Sequence, residues 1–357
     1  MNHNSPKYKV TKNVANDLAE FLAQSSYSSV FLLVDENTFQ YCYQLIENVL
    51  PKQCHLIRIQ SGESEKTLET VHKIWDVLFA HHADRKSLLI NLGGGVISDM
   101  GGFAAATFKR GISFINIPTT LLAQVDAALG GKTGVNYGKL KNQIGVMQSP
   151  EIVLVSSEFL ATLDTRQIFN GFAEMLKHAF IADATHLDEL FEIAEKMDKN
   201  PKQTELLQSA IEKSIQIKSH VVEQDFNETS LRKNLNFGHT FGHAFESFFK
   251  ETDNPLLHGE AVAQGIICEL VVSNKILGLN FGLVTEYSRK ILEIYGKISI
   301  DESDFEMLTE YMKHDKKNVS NVIKTSLLSH IGHAVSDCNI SELEIREALL
   351  FLNKLSK

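Results

Sequence analysis

Short apolar runs alternate with amphipathic stretches over the first 155 residues of the chain. Val30-Phe-Leu-Leu-Val34 reads as a buried strand, and Asp35-Glu-Asn-Thr38 opens a helix behind it. His55-Leu-Ile-Arg-Ile59 predicts a second strand, followed by a turn at Ser61-Gly-Glu and a helix carrying Leu68, Val71, Ile74, Trp75 and Leu78 on one face. Ser87-Leu-Leu-Ile-Asn-Leu92 and Phe114-Ile-Asn-Ile117 supply two more strands, and Ile152-Val-Leu-Val155 is the last such run. Strands alternating with helices predict a parallel sheet covered on both faces. From about Thr165 the period changes. Leu206, Ile211, Ile215, Ile217 and Val221 recur at helical spacing, and β-branched alternation is scarce. The expected organisation is two domains, 1–155 and 156–357, packed tightly with a cleft between them.

Glycine sharpens the first half. Eleven of the chain's 21 glycines fall between Gly93 and Gly145, where backbone must turn sharply or approach a ligand. Gly93-Gly-Gly-Val-Ile-Ser-Asp99 follows a strand and precedes a helix, so its amides suit phosphate oxygens. The fold class is therefore an α/β, Rossmann-like N-terminal domain with a parallel sheet, plus a mostly α-helical C-terminal domain. Asp35, at the end of the first strand, is a candidate for a ribose hydroxyl, although on the residues alone a helix cap is the preferred reading. A second glycine-rich stretch, Gln124 to Gly145, carries Lys132, Lys139 and Lys141 and reads as a loop that grips an anion. The glycine spacing before Lys132 rules out a nucleotide phosphate loop.

Bulk composition narrows the setting. A formal net charge of −9 with no long basic run argues against a nucleic-acid surface, so cations for an anionic substrate must be gathered locally. The four cysteines are widely spread and read as reduced packing residues. The N-terminus lacks the apolar core of a signal peptide, and no apolar run approaches the length of a membrane span. Cytoplasm is the expected location.

The chemistry concentrates in the second half. His239 and His243 lie four residues apart in Asn236-Phe-Gly-His-Thr-Phe-Gly-His-Ala-Phe-Glu246, on one face of a predicted helix. His258 follows in Leu257-His-Gly-Glu260, and Glu174-Met-Leu-Lys177-His178 adds a carboxylate with basic neighbours. One carboxylate with two or three imidazoles is enough for a catalytic zinc site that keeps a coordination position open.

Read in order, these segments resemble the 3-dehydroquinate synthase family. The resemblance rests on Ser61-Gly-Glu-Ser-Glu-Lys66, Leu92 to Asp99, Ile117-Pro-Thr-Thr-Leu-Leu122 and Val125-Asp126 through Thr133. It continues through Lys141-Asn142, Ala173 to Lys177, Leu235 to His243, His258-Gly-Glu260 and Asp315-Lys316-Lys317. It implies an enzyme that uses NAD and a divalent metal, zinc or cobalt, to turn a seven-carbon keto-sugar phosphate into a carbocycle with loss of phosphate. It implies Glu174, His239 and His258 as metal ligands, with His243 outside the set as a proton-handling group. Catalytic and anion-binding positions implied are Lys132, Asn142, Lys177, Lys218, Arg232 and Asn236, with Lys141 and one of Lys316 and Lys317. For NAD it implicates Asp35, Asn37, Glu63, Lys66, Gly94, Gly95, Asp99, Thr119, Thr120, Asp126, Lys132, Lys141 and Thr162. It further implies a homodimer in which Arg110 reaches the neighbouring site.

The chain departs from the family pattern at Ser98, at Met147-Gln-Ser-Pro150 and at Leu163-Asp-Thr-Arg166. None of these is an expected catalytic position. Two rivals share the motifs in part: a cyclase acting on a different sugar phosphate, and a metal-dependent alcohol dehydrogenase of the glycerol dehydrogenase type. Retention of Asn236, His243 and Arg232 favours the first family over its cousins. The lysine cluster argues against a dehydrogenase, whose substrate carries no pair of anionic groups.

Overall fold

The computed structural model describes residues 7–138, 140–199, 203–313 and 322–356. Lys139, Lys316 and Lys317 lie outside the described residues. The chain divides into two compact units, one built from 1–168 and 202–226, the other from 169–201 and 227–357. The change of hydrophobic period near 155 marks the end of the sheet. Packing instead divides the chain at Ile168 and returns residues 202–226 to the first unit.

The first unit holds strands β1 (Tyr8–Thr11), β2 (Val30–Asp35), β3 (His55–Ile59), β4 (Leu88–Gly93), β5 (Ser113–Pro118), β6 (Lys132–Tyr137), β7 (Leu140–Met147) and β8 (Val153–Ser156). Its helices are α1 (Val14–Ala23), α2 (Glu36–Tyr41), α3 (Leu68–Ala80), α4 (Gly95–Thr107) and α5 (Leu121–Val125). Six strands form a parallel sheet in the order β1-β8-β5-β4-β2-β3. Successive side chains point to opposite faces. Phe31, Leu33, Leu89 and Phe114 enter one apolar cluster with Val71, Ile74 and Leu78 of α3 and Met100 and Phe103 of α4. Leu32, Val34, Leu88, Ile90, Ile115 and Ile117 enter the other with Val14 and Leu18 of α1. Burial on both faces is why these strands appear in the sequence as unbroken apolar runs.

One polar rung crosses this sheet. Asn91 and Asn116 are register partners on β4 and β5, and the Asn91 side chain donates to Asn116 Oδ1 at 2.9 Å. Asn116 in turn donates to the Ala128 carbonyl at 3.2 Å, tying the segment after α5 to the sheet.

Three strands of this unit, β1, β6 and β7, lay beyond the apolar pattern. β1 pairs with β8 at the sheet edge. The expected loop around Lys132 is an antiparallel ribbon, β6 with β7, in which Gly134 faces Gly145. Glycines that suggested a loop are there because the two backbones approach too closely for side chains: a Cβ on Gly134 would stand 2.4 Å from the Ile144 carbonyl oxygen.

The second unit is mostly helical, as expected of the C-terminal half, although the residues whose spacing indicated it, Leu206 to Val221, belong to the first. Helix α6 (Thr165–Ala182) begins in the first unit and runs into it. After it come α7 (Ala184–Lys199) and α8 (Leu207–Gln224), the latter counted with the first unit. Then follow α9 (His239–Phe249), α10 (His258–Leu277), α11 (Phe281–Tyr295), α12 (Phe305–Lys313) and α13 (Glu342–Ser356). An antiparallel hairpin, β9 (Ile323–His330) with β10 (His333–Ile340), interrupts this helical half. No helix among the described residues is long and apolar enough to cross a membrane.

Candidate functional site

Two glycines decide where the second unit's histidines stand. Gly259 lies against α6: a Cβ there would meet the Asn170 carbonyl oxygen at 1.9 Å. Its N–H donates to the Asn170 side-chain oxygen at 2.6 Å. Only glycine lets α10 start at this spot, so its first residue, His258, is brought beside Glu174, one turn along α6 from Asn170. Gly238 has φ 82°, and it starts α9 with His239 as the first helical residue. Glu269, fully buried on α10, accepts from the N–H groups of Gly238 at 2.6 Å and Thr240 at 3.1 Å. The backbone on both sides of His239 is thereby fixed.

The result is a convergence on one carboxylate. His239 Nε2 lies 3.5 Å and His258 Nε2 3.3 Å from Glu174 Oε1. One ligand atom from each residue lies within 4.8 Å of the others. Each imidazole is backed at its other nitrogen. His239 Nδ1 lies 3.2 Å from the Phe237 carbonyl, and His258 Nδ1 lies 3.2 Å from Glu246 Oε2. With Nδ1–H donating to those acceptors, both Nε2 lone pairs face the carboxylate. Glu174 is fully buried; its Oε2 meets the Lys177 ammonium, and its Oε1 faces the two imidazole nitrogens.

These groups fit a divalent cation. Ligand atoms about 2.0–2.2 Å from a tetrahedral ion stand roughly 3.3–3.6 Å apart, the separation found between the imidazole nitrogens and Oε1. The electrostatics agree. Burial pushes the Glu174 carboxyl up, but Lys177, His239 and His258 together hold it well below its usual range. Burial keeps His239 well below the usual imidazole value, hence neutral and able to ligate. Burial also lowers His258, yet Glu174 and Glu246 outweigh it and raise that imidazole to about 10. The two carboxylates call for a positive charge between them, which a cation supplies as readily as a proton.

Around the triad, Lys177 is almost wholly buried, with Nζ against Glu174 Oε2. His243 sits one turn after His239, its ring 5.3 Å from that of His239 and 6.1 Å from that of His258, outside the convergent group. Asn236 donates to Glu228 Oε1 at 3.0 Å, and Arg232 is buried on the same short 3-10 turn, Leu231–Asn236. Glu228, Glu246 and Glu269 were absent from the sequence-based set. Glu246 had a signal, lying seven residues after His239 on the same helical stripe.

The first unit groups its expected residues differently. Gly94 caps α4 without a side chain, leaving the first amides of that helix to other acceptors. Lys66, buried, donates to Asp99 at 2.5 Å and to Asn142 Oδ1 at 2.6 Å. Burial raises the Asp99 carboxyl against the opposing charge of Lys66. Asn136 links this network to Glu63, donating to it at 2.8 Å while accepting from the Asn142 N–H at 2.9 Å. Asp35 closes a capping box with Thr38, so both its expected meanings remain compatible with its position. Asn37 lies in α2, Thr119 is buried after β5, and Thr120 caps α5. Lys218 is buried and binds Asp126 through both its carbonyl, at 2.6 Å, and its carboxylate, at 2.5 Å. Lys132 and Lys141 stand exposed on the ribbon, Thr162 is exposed, and Arg110 is exposed with φ 67°.

The structural class follows from comparison with solved proteins. 2-epi-5-epi-valiolone synthase from Streptomyces hygroscopicus, solved with NAD+ and Zn2+ bound, superposes with a TM-score of 0.87 at 26% identity, covering 99% of this chain and 98% of that one. 2-deoxy-scyllo-inosose synthase, complexed with carbaglucose-6-phosphate, NAD+ and Co2+, gives 0.80 at 25% identity, covering 97% and 96%. A probable glycerol dehydrogenase from Sinorhizobium meliloti shares the fold at 17% identity and a TM-score of 0.63, covering 98% and 97%. The fold is thus that of the sugar phosphate cyclases.

Sequence comparison narrows the class. The family model for the 3-dehydroquinate synthase N-terminal region matches residues 56–170, and that for the C-terminal region matches 171–318. 3-dehydroquinate synthase from Parabacteroides distasonis is 40% identical over 346 residues, 97% of each chain. Its counterpart from Campylobacter jejuni is 44% identical over 308 residues, 84% of this chain and 86% of the relative. The chain belongs to the 3-dehydroquinate synthase family.

Proposed function

We propose that the protein is a 3-dehydroquinate synthase, converting 3-deoxy-D-arabino-heptulosonate 7-phosphate to 3-dehydroquinate and phosphate in the shikimate pathway. The observation that carries the reading is the convergence of His239 and His258 on the buried carboxylate of Glu174. These three residues would hold zinc, with cobalt as a substitute. The glycine turn at Gly94 and Gly95, with Asp35, Asn37, Glu63, Lys66, Asp99, Thr119, Thr120, Asp126, Lys132, Lys141 and Thr162, would hold NAD. When bound, the two would supply a hydride acceptor and a Lewis acid, making a substrate hydroxyl transiently a ketone and the neighbouring C–H acidic enough for phosphate to leave.

The chain's own residues bind, orient and move protons. Lys177 counters the charge of Glu174 and keeps a buried ammonium beside the triad, suited to an anionic oxygen. Arg232, buried on the turn before α9, and Lys218, buried on α8, suit the substrate's carboxylate and phosphate. Lys132 and Asn142, on the ribbon of the first unit, are further candidates for the substrate's anionic groups. His243 is partly exposed next to both ligand rings, where an imidazole can carry a proton without being tied to a cation. Asn236, held by Glu228, offers a fixed amide for an oxyanion. The working form is a cytoplasmic homodimer in which Arg110 reaches the neighbouring site.

The test is phosphate release from the keto-sugar phosphate with NAD present. Release with no net NADH supports the synthase, whereas NADH accumulating with turnover would make the protein a dehydrogenase. Turnover of other sugar phosphates in place of the heptulosonate would assign it to one of the cousin cyclases.

A further inference from the structure

Helix α9 carries more than one ligand. His239, His243 and Glu246 fall at i, i+4 and i+7, a single stripe along the helix. The last of these does not reach Glu174. Its carboxylate instead meets Nδ1 of His258 on α10 at 3.2 Å, behind the ring and opposite the nitrogen that faces the triad. The side chains of Glu246 and His258 are 17% and 28% exposed, so water competes weakly for this contact. His239 is backed by a backbone carbonyl; His258 is backed by a side chain, which the sequence can change.

We propose that Glu246 is a positioning residue for the metal centre: it takes the Nδ1–H of His258, fixes that tautomer and ring orientation, and makes Nε2 the better donor. The inference rests on the reading of Glu174, His239 and His258 as metal ligands. An imidazole without such an acceptor is free to swing its ring or place its proton on Nε2, where no metal can bind. A carboxylate also adds electron density to the ring that a carbonyl cannot, and keeps a negative charge near the cation.

The experiment measures zinc affinity of the full-length protein by competition with a chromophoric chelator, alongside thermal unfolding of the metal-free form. Glu246→Ala should weaken zinc binding about 10- to 100-fold. Glu246→Gln keeps an acceptor oxygen and should weaken zinc binding less than Glu246→Ala does, but measurably. Metal-free unfolding should stay near wild type for both. With cobalt bound, the d–d absorption of Glu246→Ala should shift, since the His258 ring is no longer held. Zinc affinity within twofold of wild type in both variants would overturn the proposal. If the alanine variant fails to fold, Glu246→Gln decides alone, and unaltered affinity there overturns it. Glu174→Ala separates the two readings: wild type that binds no zinc, or Glu174→Ala that still binds it, removes the triad and this inference together. Normal behaviour of those two with unchanged Glu246 variants removes the inference only.

Discussion

The two units handle polar groups in opposite ways. In the first, Lys66, Asp99, Asn142, Asn136 and Glu63 already satisfy one another through hydrogen bonds of 2.5–2.9 Å. The nucleotide site proposed there draws on many groups, the backbone at the start of α4 among them. In the second, the Glu174 carboxylate is sealed from water against the Lys177 ammonium, and two imidazole nitrogens point at its Oε1. Lys177 offsets part of the cost of burying that charge, and a bound cation would offset more. A site spread over many groups tolerates loss of single side chains, whereas one built on a single carboxylate does not. Mutagenesis should expose that contrast.

The largest effect belongs to the triad. Glu174→Ala should abolish zinc binding and phosphate release together, and chelation of the wild type should do the same to release. Retained turnover in either case would erase the contrast. Next comes Gly259→Ala, whose added methyl has backbone at 1.9 Å. Overpacking of this kind costs about 1–3 kcal/mol, and it should also shift His258 off Glu174 and weaken zinc binding. A variant with normal unfolding and normal zinc affinity would show that α10 has slack at its start. Glu269→Ala leaves the buried amides of Gly238 and Thr240 without that acceptor, a loss of about 1–3 kcal/mol in chemical unfolding. A neutral outcome would mean that His239 is held by other means.

The smallest effect is expected in the first unit. Asp35→Ala should cost about 1 kcal/mol through the lost cap of α2, while Asp35→Ser restores the cap without the carboxylate. NAD affinity measured on both variants separates the roles. Weakened binding in both assigns Asp35 to the ribose, and weakened binding in the alanine variant alone assigns it to the cap. Loss of NAD binding as complete as the zinc loss in Glu174→Ala would contradict a site spread over many groups.

Much of the architecture was legible because sheet burial leaves a direct trace. β2, β4 and β5 are apolar on successive residues since both faces are covered. β1 is short and half polar at the sheet edge, and β6 and β7 carry facing glycines, so neither gave that trace. The β9–β10 hairpin was hidden by the helical periods flanking it. For the site, spacing on α9 pointed to His239 and His243 as a pair, while the carboxylate that His239 faces lies 65 residues earlier on α6, an adjacency between helices that the period of either one does not record. Glu246 and Glu269 escaped notice for the same reason. Their importance lies in which atoms of another helix they meet, and the period of their own helix does not encode it.

Because residues 202–226 rejoin the first unit, the polypeptide passes between the two bodies at three points, after 168, 201 and 226, the first of them inside α6. A fragment ending at Ile168 would lack α8 and with it the ammonium that grips Asp126. The halves are therefore poor candidates for separate expression or domain exchange. A limited-proteolysis cut at any one crossing would leave two covalent tethers in place.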